Sequence, residues 1–166
     1  MSSFGTSFSQ PESFLVYANF SQGIKISYPA TWRVQEKTDP AGFFVAFVSP
    51  AEDPADPFFE NLGVVIVNLP QQVTLDAYVE FSLAQLQQFP LQLLESTRST
   101  LGDMPAQRVL CAGPLPLPMG PFQGKYLGYW AVRGTKSVVA TFTAQANKYE
   151  KFLPTIEQMV GSLEIR

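Results

Sequence analysis

The residues best equipped for chemistry lie in one stretch, SPAEDPADPFFEN (49–61), which holds Glu52, Asp53, Asp56 and Glu60. Carboxylates at this density could work as a paired acid and base, or supply hard oxygen ligands to calcium or magnesium. Their spacing matches no calcium loop, and the glycine such a turn needs is absent. The stretch therefore reads as a solvated acidic loop. The usual reagents are missing elsewhere. The chain has no histidine and one cysteine, which removes Ser-His-Asp and Cys-His nucleophile systems, HExxH zinc sites and thiolate zinc clusters. No glycine-rich phosphate loop with its lysine occurs, and no GxGxxG follows a strand. The expectation is a protein without catalytic residues, cofactor or metal.

A second stretch suggests recognition rather than reaction. GPLPLPMGPFQG (113–124) carries prolines at 114, 116, 118 and 121, which stiffen the backbone towards polyproline II and lower the entropy lost on docking. Leu115, Leu117, Met119 and Phe122 are the candidate partner-binding residues. The alternative is a rigid hairpin connection whose apolar side chains fold back onto the domain. Cys111 lies in the apolar run Val109-Leu110-Cys111-Ala112 and reads as a small buried hydrophobe.

The elements that must position these stretches are legible from periodicity. Phe14–Tyr17 and Gly23–Tyr28 read as strands, the second alternating with Ile24, Ile26 and Tyr28 on one face, and Trp32–Lys37 could form another short one. Phe43–Val48 and Val64–Val67 are continuous apolar runs, the pattern of strands covered on both sides. Thr74 is a predicted N-cap, with Asp76 in the first turn. Leu75, Val79, Leu83 and Leu86 mark an amphipathic helix ending before Pro90. Strands are expected at 91–100 and 104–112, around Leu101-Gly102-Asp103. Two more, Tyr126–Arg133 and Lys136–Gln145, are joined by Gly134-Thr135, which suits a two-residue turn. Asn147 with Glu150 resembles a capping box opening a last helix, whose apolar stripe runs through Tyr149, Phe152, Ile156, Met159, Val160 and Leu163. Pro154 should kink that helix or delay its start.

Composition bounds the rest. With 46% apolar residues the chain can fill a core, expected as a single domain over 13–166 behind a loose Ser-rich tail, 1–12. A net charge of −3 argues against nucleic acid as the partner. No apolar run approaches membrane-spanning length, and MSSFGTSFSQPESF lacks the basic leader and apolar core of a secretory signal. The chain reads as a cytoplasmic monomer.

Tyr17-x-Asn19 followed by Gly23-Ile24-x-Ile26-x-Tyr28-Pro29-x-x-Trp32 resembles the N-terminal signature of PsbP-like domains. That family includes the extrinsic subunit of photosystem II. Phe47-x-Ser49-Pro50, Glu60-Asn61-x-x-Val64, Leu75-x-x-Tyr78, Pro105-Ala106 and the closing Ser162-Leu163-Glu164-Ile165 follow in the family's order, so the resemblance covers about residues 13–165. It implies an α+β fold, a central antiparallel sheet sandwiched by helices, with Trp32 filling the corner after the second strand. The same fold serves a Ran-binding nuclear import factor. The implied role is a non-catalytic protein-interaction domain that assists assembly or stabilisation of a photosynthetic complex, such as the oxygen-evolving complex, or of another multisubunit complex. A leader removed upstream would place it in the thylakoid lumen or at a membrane. One alternative is a cytosolic regulator binding a protein partner such as a small GTPase; a second is a carboxylate-dependent hydrolase. The chain departs from the family in three features. Residues 1–12 carry no base, the single cysteine lies far from the start, and no histidine is present.

Overall fold

The computed structural model describes residues 13–117 and 120–166. The tail expected at 1–12 and the candidate residue Met119 lie outside the described residues. Among these described residues, ten strands and two helices follow in the order β1 (Phe14–Asn19), β2 (Ile24–Pro29), β3 (Arg33–Asp39), β4 (Gly42–Val48), β5 (Asn61–Asn68), α1 (Leu75–Leu86), β6 (Gln92–Leu101), β7 (Met104–Leu117), β8 (Gly120–Arg133), β9 (Lys136–Gln145), α2 (Tyr149–Ser162) and β10 (Glu164–Ile165). Seven strands form an antiparallel sheet in the order β3-β4-β5-β9-β8-β7-β6, and β1-β2-β10 form a small one.

Alternation decides which face of the large sheet is which. Val45 pairs with Val64, Val64 with Ala140, and Ala140 with Tyr129, so these four side chains share one face. That face is the main core: it meets Ile24 and Ile26 of the small sheet and Ile156, Met159 and Val160 of α2. The opposite face carries Val109, Cys111 and Trp130, and α1 lies there, inserting Val79. The result is the expected helix–sheet–helix sandwich.

Cover on the α1 side is incomplete, which corrects the reading of β4 and β5 as strands buried on both faces. Phe44 is 38% exposed, and Val65 and Val67 are half-buried. The reason is width. Seven strands about 4.8 Å apart span about 29 Å, whereas one helix about 10–12 Å across covers roughly two of them. Placed over β7 and β8, α1 leaves β4 and β5 uncapped.

The proline-rich stretch is not an interruption. β7 runs on to Leu117 and β8 begins at Gly120, with Pro114 opposite Gln123 and Pro116 opposite Pro121. Proline is tolerated here because β6 stops at Gln92, opposite Ala112. Beyond that point β7 is an edge strand. Prolines two residues apart point their missing N–H groups the same way, towards the unpaired side.

The helix ends divide between expectation and correction. Thr74 caps α1, its Oγ1 accepting the Ala77 N–H at 3.1 Å. The capping box at α2 does not form. Lys148 is the N-cap residue, with no side-chain cap bond, and its ammonium turns away to the acidic loop. Pro154 does not delay the start of α2, which runs through it from Tyr149 to Ser162. The glycines of the two expected turns have positive φ, Gly102 at +62° and Gly134 at +61°, as does Gly23 at +71° between β1 and β2.

Candidate functional site

Asp56 organises the acidic loop. Its side chain is 1% exposed, and it accepts the backbone N–H groups of Glu52 at 3.1 Å and Phe58 at 3.2 Å. The Lys148 ammonium donates to the same carboxylate at 3.0 Å and lies 2.9 Å from Glu52 Oε1. Lys151 pairs with Glu52 in turn. Two lysines from the start of α2 thus stand among the carboxylates, where a metal cation would otherwise sit. Asp53 turns aside to accept the Ala55 N–H at 2.8 Å. Among the described residues, no group of three or more histidine, cysteine, aspartate or glutamate side chains is arranged to hold a metal ion.

Glu60 behaves differently from its neighbours in sequence. It is wholly buried at the end of the β4–β5 pair, where the Ser49 N–H donates to the Glu60 carbonyl at 2.9 Å. Its Oε2 accepts the Gln145 N–H at 3.1 Å. Burial raises its carboxyl pKa, opposed by that N–H and by the Lys148 charge. Glu60 Oε1, Ser49 Oγ, Gln145 Oε1 and the Tyr149 hydroxyl are all buried without a protein partner. The Tyr149 ring stacks on Phe142 at 5.6 Å, with the Lys125 ammonium 4.9 Å above it. Burial pushes the Tyr149 phenol up to about 12.

The hairpin candidates separate. Leu115 is 1% exposed and belongs to the interior, so it presents nothing to a partner. Leu117 and Phe122 are half-buried, and Tyr126 stiffens the hairpin by donating to the Pro114 carbonyl at 2.9 Å. Trp32 is buried as expected, edge-on to Phe152 of α2 with ring centroids 6.0 Å apart. Cys111 is buried too, and burial raises its thiol pKa.

Sequence reasoning missed the surface around α1. The helix turns Leu75, Tyr78, Val79, Leu83 and Leu86 inward, yet Ala77, Phe81 and Ala84 also line up on its outer side, with Phe81 64% exposed. The second stripe was legible as apolar residues at i, i+4 and i+7. Where α1 ends, Leu83, Leu86, Leu91, Leu93 and Cys111 line a cavity of about 350 Å³. Leu86, Leu91 and Cys111 are shared with a smaller space of about 180 Å³ over Val109, Tyr126 and Trp130. Phe89, Leu93 and Leu94 stand exposed on the segment that follows α1.

The arrangement of layers, with two helices on opposite faces of a seven-stranded antiparallel sheet and a small sheet beside the second helix, recurs in solved structures. The PsbP of the cyanobacterium Synechocystis superimposes with a TM-score of 0.62 at 16% identity, over 100% of this chain and 99% of that one. The chain has the PsbP/Mog1p fold. The yeast Ran-binding protein Mog1p matches with a TM-score of 0.61 at 10% identity, over 93% and 96% of the two chains. PA94 of Pseudomonas aeruginosa, a protein of unknown function, shares the PsbP/Mog1p fold with a TM-score of 0.64 at 13% identity, over 92% and 97%. No family model matches the sequence, and no curated protein does. Among the described residues, no helix is long and apolar enough to cross a membrane.

Proposed function

We propose that this chain is a non-catalytic protein-interaction domain that helps to assemble or stabilise a larger complex. The observation that carries the reading is α1. A helix apolar on both sides is normally buried on both sides, and here the outer stripe of Ala77, Phe81 and Ala84 faces solvent. Exposed apolar surface of this kind marks a site of association. The acidic loop supports the non-catalytic part, because lysines already neutralise Glu52 and Asp56. Leu117 and Phe122 extend the proposal to the hairpin; Leu115 leaves it. The fold shared with a Ran-binding protein supports a small GTPase as the second reading. A photosynthetic complex is the form of the first reading that the fold shared with PsbP supports.

Affinity capture from the native cell tests the reading, with the wild type and Phe81→Glu compared side by side. A surface change of this kind should shift stability by no more than about 0.5 kcal/mol, so the variant stays folded and loses the wild-type partner. If it captures the same protein as before, α1 is not the docking face. Phe122→Ser puts the same question to the hairpin.

A further inference from the structure

The sheet beneath the end of α1 is floored by residues too small to fill the space above them. Val109, Gly128 and Thr141 are cross-strand neighbours on β7, β8 and β9, in a row on the face that α1 covers. The helix ends at Leu86, and the chain turns back over the same row at Leu91. Between these leucines and the floor lies the inner space of about 180 Å³. It adjoins the outer space of about 350 Å³ across Leu86, Leu91 and Cys111. The outer space alone falls within the range of about 300–1,000 Å³ that small-molecule sites occupy. Among the described residues, none of the side chains lining either space is charged.

The group able to recognise something there is Trp130. It is 9% exposed, and the pyrrole edge of its ring lies over Gly128, where a Cβ would stand 2.7 Å from Nε1. The glycine leaves room for the indole N–H to run along the floor and into the inner space that Trp130, Gly128 and Thr141 line together. Among the described residues this N–H donates to no acceptor, and the Thr141 hydroxyl beside it has no partner either. Native interiors pair nearly every buried polar group. An indole N–H can only donate, and a hydroxyl can donate as readily as it accepts. Both needs are met by an acceptor oxygen on a molecule whose remainder suits leucine side chains. With no cation in the lining, a carboxylate would be a buried and unpaired charge, so the oxygen belongs to a neutral group.

We propose that the space under the end of α1 is a binding site for a neutral, mainly apolar small molecule: a hydrocarbon chain or ring that carries a carbonyl group. The carbonyl oxygen accepts from Trp130 Nε1–H and from the Thr141 hydroxyl at the inner end. The apolar body lies among Leu83, Leu86, Leu91 and the Cys111 side chain. Gln87 and Leu93, both exposed, form the mouth. The site lies beneath α1 and uses none of its outer stripe, so it stands or falls apart from the docking proposed for Phe81.

The test is a titration of the full chain with methyl octanoate, followed through the tryptophan indole N–H signals in proton–nitrogen correlation NMR. The chain has two tryptophans, so Trp32, in the main core on the other face of the sheet, is the internal control. Trp130→Phe assigns the two signals. The Trp130 indole proton should move downfield and saturate within the solubility of the ester, while that of Trp32 stays in place. Octanoate, the same chain with a charged end, should bind at least about tenfold more weakly. Thr141→Val keeps the shape and removes the hydroxyl, and should weaken binding of the ester about three- to tenfold. Gly128→Ala, whose Cβ displaces the indole edge, should abolish saturation with the Trp32 signal unmoved. A Trp130 signal that does not respond, or that drifts together with Trp32 without saturating, overturns the site. Octanoate binding as tightly as the ester overturns the neutral carbonyl ligand. Unchanged affinity in Thr141→Val overturns the polar inner end, whether or not Gly128→Ala folds.

Discussion

Replacing Trp32 by alanine should cost about 3–4.5 kcal/mol, and the structure supplies the arithmetic. Trp32 is 6% exposed, in the corner between the end of β2 and α2, with Phe152 edge-on at 6.0 Å. A buried tryptophan removes about 200 Å² from water, worth about 5 kcal/mol at about 25 cal/mol per Å². Compactness of the unfolded chain lowers such a figure by roughly 10–40%. For a domain of this size each kcal/mol moves Tm by about 2–4 °C, so a drop of about 6–18 °C is expected. Urea melts of Trp32→Ala measure the loss directly, provided the m-value stays unchanged. A double-mutant cycle with Phe152→Ala isolates the ring pair, whose coupling should be about 0.5–1.5 kcal/mol. A total loss below about 1 kcal/mol refutes the corner-plug reasoning and leaves the ring free for another role.

Three further outcomes are expected. Gly102→Ala should destabilise by well over 1 kcal/mol, since its φ is +62° and a Cβ would stand 2.0 Å from the Leu163 carbonyl oxygen; Gly134→Ala, at +61° with nothing within 4 Å, should cost only about 1 kcal/mol, and equal losses in thermal melts would refute the distinction. Tyr17, held by burial and its Glu36 hydrogen bond, and Tyr149, held by burial, ionise at about 12; the folded protein keeps these protons after the unfolded chain loses them, so stability falls from about pH 10 to 12, and absorbance at alkaline pH should show two late tyrosines, one fewer in Tyr149→Phe. Millimolar calcium should leave Tm unchanged, because lysines occupy the carboxylates of the acidic loop; Lys148→Met should lower stability by about 2–4 kcal/mol by stranding Asp56, and a calcium-dependent rise in wild-type Tm would contradict the arrangement.

What the sequence determined by itself is local. Alternation of period two located β2, because side-chain direction in a strand depends only on position, and short apolar runs located β1, β4 and β5. Thr74 declared the start of α1, since a cap bond spans three residues. Gly134-Thr135 announced its turn, and the ordered motifs from Tyr17 to Ile165 led to the fold. Tertiary structure decided whatever joins distant residues. The acidic loop meets Lys148 and Lys151 across more than ninety positions, so no spacing within 49–61 could show that ammonium groups fill it. Whether Glu60 is solvated or buried depends on Ser49, Gln145 and α2 closing over it. The prolines of β7 read as a stiff connection, and only the early end of β6 leaves them an unpaired strand edge. The outer stripe of α1 was present in the sequence, but one stripe of a helix looks buried until the sheet beneath it has a width. Only then is it plain that a single helix covers two strands, and that Phe81 faces away from both.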